Sequence, residues 1–220
     1  MIVFTTLHNS SYECLADITC EKNKKIYCKK HNYPLVIKNG NWLPIPIGYE
    51  KAYLIKTAFN LYTDCEWVFF SESDTLITNM NIKLEDIIKD EQKHFIITTD
   101  VNGINAGSFF IRNSKEGNEY LNAMIQSIGH FQNEQEFIQN SYSNTNFKEI
   151  IHLYPQKSFN SYTYSKEDYP NYSENFNKGI DKLGNNGKWE IGDFIVHFVD
   201  KNLESRLALA NTYINKVIND

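Results

Sequence analysis

Short, continuously apolar stretches alternate along this chain with longer stretches in which apolar residues recur at helical spacing. The clearest short stretch is Trp67–Phe70, which predicts a strand buried on both faces of a sheet. Ile2–Thr6 predicts another buried strand, and a polar turn separates it from a helical stretch. A strand, a polar turn and a helix form the opening unit of many α/β folds.

The same alternation continues to the end of the chain. Strands are predicted at Ile2–Thr6, Leu35–Ile37, Trp67–Phe70, Phe95–Thr99, Ser108–Arg112, Ile150–Leu153 and Phe194–Val199. Helices are predicted at Tyr12–His31, Glu50–Tyr62, Leu84–Lys89, Lys115–Ile128 and Glu134–Asn140, with a closing helix whose apolar stripe is Leu203, Leu207, Ile214 and Val217. This order predicts an α/β fold with a mostly parallel sheet flanked by helices and antiparallel pairing toward its end.

Three finer predictions concern the connections and one helix face. The helix Glu50–Tyr62 is expected to bury a side made of Tyr53, Leu54, Thr57, Ala58 and Leu61. Gly103–Gly107 is expected to be a turn. The polar segment Lys166–Gly192 is long for a connector, which suggests an acceptor-side lid.

Length and charge narrow the class of protein. The chain has 220 residues, enough for a full core, and a single domain spanning 1–220 is the simplest expectation. The formal net charge is -5, so there is no basic surface for nucleic acid. A phosphate ligand stays compatible with this charge because a bound metal can supply positive charge.

The start of the chain and its cysteines predict a cellular location. Met1 leads directly into the first strand, and no apolar run approaches the roughly 18 residues of a membrane span. Cys14, Cys20, Cys28 and Cys65 form no CxxC pair and are expected to be reduced thiols. These features predict a soluble, cytoplasmic protein without an export signal or membrane anchor.

Two acids follow the strand Trp67–Phe70 at its carboxyl end, where open α/β sheets bind their ligands. Glu72 and Asp74 lie two residues apart and can hold a divalent cation, which in turn can hold a diphosphate. His197, in the last predicted strand, offers a third ligand suited to Mn²⁺. The alternatives are a solvated acidic turn and a core histidine bonded to the backbone.

Five segments taken in order carry a family resemblance: Trp67–Asp74, Asn105–Asn113, Glu134–Gln135, Pro155–Tyr162 and Gly192–Phe198. Together they resemble the GT-A glycosyltransferases of family 34, which includes plant xyloglucan xylosyltransferases and yeast α-galactosyl and α-mannosyl transferases. The resemblance runs from the first strand to just past His197. It implies a Rossmann-like GT-A fold and a metal-dependent transfer of sugar, with retention, from a nucleotide diphosphate donor, a UDP-sugar in the first place, to a glycan hydroxyl.

The resemblance also implies roles for individual residues. The metal, Mn²⁺ or Mg²⁺, would be held by Glu72, Asp74 and His197. Asn105, Glu134 and Gln135 would act at the donor sugar. Further donor contacts would come from Thr5, Thr6, Leu7, Lys56, Glu72, Ser73, Asp74, Asp100, Ala106, Gly107 and Lys201.

Two departures from the family pattern keep an alternative open. Glu72 stands where the family usually has Asp, and Lys201 follows His197 one register step away from the family's basic residue. Glu72 therefore supports a rival interpretation, a sugar-nucleotide or glycan binding module that has lost catalysis. A nucleotidyltransferase is a further rival, but such enzymes usually carry a Gly-rich basic loop after the first strand, and Thr6–Ser11 contains no glycine and no Lys or Arg.

Overall fold

A six-stranded sheet forms the centre of the protein. The computed structural model describes residues 1–88, 91–100, 103–164, 187–199 and 201–219. Their strands are β1 (Ile2–His8), β2 (Leu35–Asn39), β3 (Trp67–Ser71), β4 (Thr75–Ile77), β5 (Phe95–Asp100), β6 (Gly103–Arg112), β7 (Ile151–Tyr154), β8 (Ser161–Tyr162) and β9 (Ile195–His197). The central sheet has the order β2-β1-β3-β6-β5-β7. β6 is antiparallel to both of its neighbours, and the other pairs are parallel, so the predicted mostly parallel α/β sheet is confirmed.

Strand β3 lies between β1 and β6 and is buried along its whole length. Val68 and Phe70 face one apolar core, whereas Trp67 and Phe69 face the other. This division explains the unbroken apolar run in the sequence, because successive side chains of a strand covered on both faces enter apolar cores on opposite sides. Glu72 and Asp74 follow directly after the strand, where the chain leaves the two cores.

A small second sheet extends the structure beyond the carboxyl end of β3. Its strand order is β4-β9-β8. The antiparallel register of β4 and β9 places Thr75 opposite His197, and the amide of Phe198 donates to the carbonyl of Asp74 at 3.0 Å. Residues far apart in the sequence are thereby brought to one edge of the central sheet.

The helices flank the sheet close to their predicted positions. The first runs as α1 (Glu13–Ala16), a π-helical segment (Asp17–Lys24) and α2 (Lys25–His31), and the others are α3 (Glu50–Leu61), α4 (Leu84–Ile87), α5 (Lys115–Gln126), α6 (Glu134–Asn144) and α7 (Leu203–Tyr213). The predicted buried side of α3 was wrong in part. Leu61 is 63% exposed, and Ile55 and Phe59 are buried instead.

Two predictions for the strands are corrected. Gly103–Gly107 was predicted as a turn, but these residues extend β6 and pair with β5 beyond a register shift between Ile97 and Thr98. The irregularity accommodates the small residues that suggested a turn. β9 is shorter than the predicted Phe194–Val199, since β4 offers only three partner residues. Most of the segment Lys166–Gly192, predicted as a lid, lies outside the described residues.

In the described part of the chain, no helix combines the length and the apolar character that crossing a membrane requires. All four cysteines are free thiols, and Cys14 is the exposed one.

Candidate active site

Three candidate metal ligands converge beyond the end of β3. Glu72 and Asp74 lie in the turn between β3 and β4, and His197 is the last residue of β9. One ligand atom from each lies within 4.8 Å of the other two. Nε2 of His197 is 3.3 Å from Oδ1 of Asp74 and 3.7 Å from Oε2 of Glu72. The structure thus brings together the three residues that the sequence singled out as ligands.

The π-helical segment of the first helix holds the turn from behind. Thr19 donates its hydroxyl to the carbonyl of Ser73 at 2.5 Å, and Lys24 donates to the carbonyl of Thr75 at 2.6 Å. Asn23 both donates to the carbonyl of Ile77 and accepts from its amide, each at 2.8 Å. These buried contacts fix the backbone that carries the two acids.

Opposite charges surround the buried members of the triad. Burial disfavours the carboxylate of Asp74, but His197, Arg206 and Lys24 together hold the pKa of this side chain well below its usual value. Burial likewise disfavours a charged imidazole, yet the carboxylates of Asp74 and Glu72 raise the pKa of His197. The site therefore favours an ionised Asp74 with a positive group beside it.

The donor set fits a divalent cation. Two carboxylates and an imidazole are the oxygen and nitrogen ligands that Mn²⁺ accepts, and ligands around such an ion lie about 3 to 4 Å apart. Oδ1 of Asp74 is buried and has no hydrogen-bond partner among the described residues. Because buried polar atoms are normally satisfied, this oxygen beside Nε2 of His197 suits a bound cation.

A chain of side-chain amides orients His197. Asn160 donates from Nδ2 to Oδ1 of Asn105 at 3.1 Å, so Oδ1 of Asn160 is the acceptor that faces Nδ1 of His197 at 2.9 Å. Nδ1 therefore carries a proton, which leaves Nε2 of the neutral ring to act as a ligand. Asn105 continues the chain by donating to Asp100 at 3.0 Å, and Tyr162 donates to the same carboxylate.

Close packing also fixes the histidine. A Cβ atom added to Gly107 would lie 2.4 Å from Cε1 of His197, so only glycine allows β6 to approach the ring this closely. The carbonyl of Gly107 accepts from the amide of Glu72 at 2.9 Å. The predicted donor contact at Gly107 thus lies directly between the acidic turn and His197.

The family resemblance implied a donor contact at Lys56, whereas the buried lysine beside the acidic turn is Lys51. Nζ of Lys51 is buried and lies 2.7 Å from Oε1 of Glu72, 2.5 Å from Oε1 of Glu134 and 3.0 Å from the carbonyl of Ala106. Burial opposes its charge, but Glu134 and Glu72 raise the pKa of Lys51 above its usual value. Lys56 instead donates to Asn122 on α5 at 2.5 Å and does not reach the triad.

The longer arm of Glu72 is explained by this arrangement. One carboxylate oxygen contacts Lys51 while the other faces His197. Glu72 thus links the candidate metal ligands to Lys51 and, through it, to Glu134.

Two adjoining cavities meet at the triad. The first, of about 300 Å³, is lined by Leu7, His8, Asn9, Tyr12, Ile47, Glu72, Ser73, Asp74 and Arg206. The second, of about 250 Å³, is lined by Lys51, Glu72, Asp74, Asp100, Asn105, Ala106, Gly107, Glu134, Gln135, His197, Val199 and Arg206. We call them the β1 cavity and the β6 cavity after the strands that border them.

Most of the predicted site residues line one of these cavities, and four do not. Gln135 accepts from the amide of Ala106 at 3.0 Å, which fixes it at the wall of the β6 cavity. Thr5 and Thr6 are buried within β1 and line neither cavity. Lys56 and Lys201 also lie outside both, and Nζ of Lys201 lies 5.3 Å from the ring centre of Tyr164.

The sequence interpretation missed two cations, although the pattern held a signal for each. Lys51 precedes Leu54, Ile55 and Ala58 at helical spacing on the buried side of α3. Arg206 lies between Leu203 and the buried Ala210 on α7. A basic residue on the apolar side of a helix needs a buried partner, and in both cases that partner is a site carboxylate.

The chain matches one protein family and is similar to two proteins of a yeast. The galactosyl transferase GMA12/MNN10 family matches residues 1–93 and 87–208. The probable alpha-1,2-galactosyltransferase gmh1 of Schizosaccharomyces pombe is 24% identical over 90% of this chain and 68% of its own length. The uncharacterized alpha-1,2-galactosyltransferase C1289.13c of the same yeast is 27% identical over 66% of this chain, which spans half (50%) of that protein.

A solved structure has the same fold. The glycosyltransferase involved in glycosylation of the major capsid of PBCV-1 superposes with a TM-score of 0.72 at 15% identity, covering 96% of this chain and 98% of that one. This similarity supports the GT-A fold that the sequence resemblance implied.

Proposed function

Since the chain belongs to the galactosyl transferase GMA12/MNN10 family of glycosyltransferases, we propose that it moves a sugar from a nucleotide diphosphate sugar to a glycan hydroxyl in a metal-dependent reaction. The observation that carries this proposal is the cluster of Glu72, Asp74 and His197, in which the two acids line both cavities and His197 lines the β6 cavity. A nucleoside diphosphate sugar has its parts in a matching order, because its charged diphosphate lies between the nucleoside and the sugar.

Asp74, His197 and Glu72 would hold the metal, with Mn²⁺ as the first choice and Mg²⁺ as the second. When bound, such an ion neutralises negative charge on a leaving diphosphate. Asp74 supplies a buried carboxylate with an unpartnered oxygen, and Asn160 keeps Nε2 of His197 available. Glu72 is the more exposed ligand, with 32% of its side-chain surface accessible.

The two cavities suggest the orientation of the donor. We assign the nucleoside to the β1 cavity, where Leu7, Tyr12 and Ile47 provide apolar surface. The sugar would occupy the β6 cavity, which is lined by polar groups that can bind its hydroxyls. Galactose is the first sugar to test, since the relatives named above are called galactosyltransferases, and UDP is the first nucleotide.

Three residues of the β6 cavity are proposed to act at the reacting sugar. Glu134 and Gln135 begin α6, and Asn105 lies opposite them on β6. Lys51 holds the carboxylate of Glu134, and the amide of Ala106 holds the carbonyl of Gln135. Their fixed positions suit stabilisation of positive charge on the donor sugar, and the family resemblance implies retention at its anomeric carbon.

We also propose a cytoplasmic location for the protein.

Nucleotide release from a panel of donors tests the proposal. Purified protein is incubated with UDP-galactose, UDP-glucose, UDP-xylose or GDP-mannose, with Mn²⁺ or with EDTA, and free UDP or GDP is measured. We expect release from one donor, dependent on the metal. Asp74→Asn should abolish it. Asp64→Asn, at an exposed carboxylate that lines neither cavity, should leave it intact.

A measurement of donor binding beside the release assay separates the proposal from the binding-module alternative. The release assay is repeated with mono- and oligosaccharide acceptors added to each donor. Tight Mn²⁺-dependent donor binding with no turnover in any of these mixtures would favour the binding module. Turnover that is unaffected by EDTA and by Asp74→Asn would contradict the metal site.

A further inference from the structure

The residues common to both cavities mark where the diphosphate must lie if the proposed function holds. Glu72, Asp74 and Arg206 line the β1 cavity and the β6 cavity alike. Of these three, Arg206 is the cation. A diphosphate that joins a nucleoside in one cavity to a sugar in the other must pass its side chain.

The other nearby cations are already engaged. Lys51 has three ammonium donors and three acceptors, which are Glu72, Glu134 and the carbonyl of Ala106. Lys24 is buried behind the acidic turn and donates to backbone carbonyls of Thr19 and Thr75. Lys201 lies beside Tyr164 and lines neither cavity.

Arg206 is held firmly and keeps donors to spare. Nε donates to the carbonyl of Phe198 at 3.0 Å, one terminal nitrogen donates to the hydroxyl of Tyr12 at 2.9 Å, and the other lies 3.2 Å from Oδ2 of Asp74. A guanidinium has five N–H donors, so two have no partner among the described residues. Its side chain is only 16% exposed, and the residue lines both cavities.

We propose that Arg206 binds the diphosphate of the donor through its two unpartnered N–H groups. The planar guanidinium presents paired donors that match phosphate oxygens. The contact to Phe198 fixes the side chain in advance, so that little rotational freedom is lost on binding. Arg206 on α7 thereby supplies a donor contact of the kind that the family resemblance implied for Lys201. The inference rests on the proposed function, because it requires a nucleotide diphosphate as ligand.

Titration calorimetry with UDP and with uridine, in the presence of Mn²⁺, tests this assignment. Arg206→Ala should weaken UDP binding about tenfold to a hundredfold, the range for losing a charged hydrogen bond, and should change uridine binding less than about threefold. Arg206→Lys keeps the charge without the paired donors and should fall between. Arg112→Ala is the matched control. The guanidinium carbon of Arg206 lies 5.5 Å from the ring centre of Tyr12. Arg112 likewise packs on an aromatic ring and donates to a backbone carbonyl, but it lines neither cavity.

Mn²⁺ titration without nucleotide separates diphosphate binding from a structural role. Removing the positive charge beside Asp74 should leave Mn²⁺ affinity unchanged or tighter, whereas a distorted turn would weaken it. The inference is overturned if Arg206→Ala binds UDP like the wild type, if it loses UDP and uridine in equal proportion, or if it loses Mn²⁺. It is also overturned if Lys201→Ala loses more UDP affinity than Arg206→Ala. A wild-type protein that binds neither UDP nor GDP would instead contradict the proposed function itself.

Discussion

The two cavities that meet at Asp74 are built in different ways. The β6 cavity is walled by side chains that hydrogen-bond one another, in the chains His197–Asn160–Asn105–Asp100 and Glu72–Lys51–Glu134. The β1 cavity is bordered by Leu7, Tyr12 and Ile47 and has fewer such links. In the β6 cavity the side chains of these two chains depend on one another, so a single substitution there should also affect the neighbouring side chains. The effect of a substitution at the β1 cavity should be limited mainly to the side chain that is replaced.

Lys51→Met should have the largest effect. It leaves the carboxylates of Glu134 and Glu72 without their shared cation, and removal of one partner from a buried ion pair costs about 3 to 5 kcal/mol. We expect that loss in the free energy of unfolding, measured by urea denaturation. Lys56→Met, on the same helix but partly exposed, is the matched control and should change stability by about 0.5 kcal/mol or less. Equal costs for the two variants would contradict the assignment of Lys51.

Asn160→Ala should have the next largest effect, on metal affinity. It removes the acceptor that orients His197, and loss of such a supporting hydrogen bond typically weakens metal binding about tenfold to a hundredfold. Titration with Mn²⁺ measures the change. Asn144→Ala, at an exposed position on α6, provides the comparison. If Mn²⁺ affinity survives in Asn160→Ala, the histidine does not depend on this chain of amides.

Ile47→Ala should have the smallest effect. Ile47 is partly buried and borders the β1 cavity without any polar partner that the change would strand. We expect UDP affinity to fall by less than about tenfold, since truncating a partly exposed aliphatic side chain removes about 1 kcal/mol of apolar contact. UDP titration checks this. A loss as large as that of Arg206→Ala would contradict the contrast between the two cavities.

The sequence predicted some of the site residues and missed others. Strand β3 and the acids after it could be predicted because burial on both faces leaves an unbroken apolar run that ends in polar residues. Glu72, Asp74 and His197 were found because they lie at the ends of strands, where open α/β sheets bind ligands. Their close approach in the structure confirms that they meet, and their roles remain proposals.

The sequence did not predict Lys51, Arg206 and Asn160, because their positions depend on tertiary packing. The two cations lie on helices, and which side of a helix faces the site depends on how the helix packs on the sheet. The predicted side of α3 included Leu61, which is 63% exposed. Lys56, the donor contact that the family resemblance implied on this helix, lines neither cavity. Asn160 contacts His197 only through the pairing of β8 with β9, a tertiary contact that leaves no local pattern.

Mn²⁺ binding measured by calorimetry on wild-type protein, His197→Ala and Asp74→Asn tests the central claim most directly. His130→Ala, an exposed histidine outside both cavities, is the control. We predict one Mn²⁺ site per chain that tightens UDP binding in the wild type and in His130→Ala, and that is lost in His197→Ala and Asp74→Asn while both variants remain folded. Equal Mn²⁺ binding by all four proteins would contradict the claim that Glu72, Asp74 and His197 form the metal site.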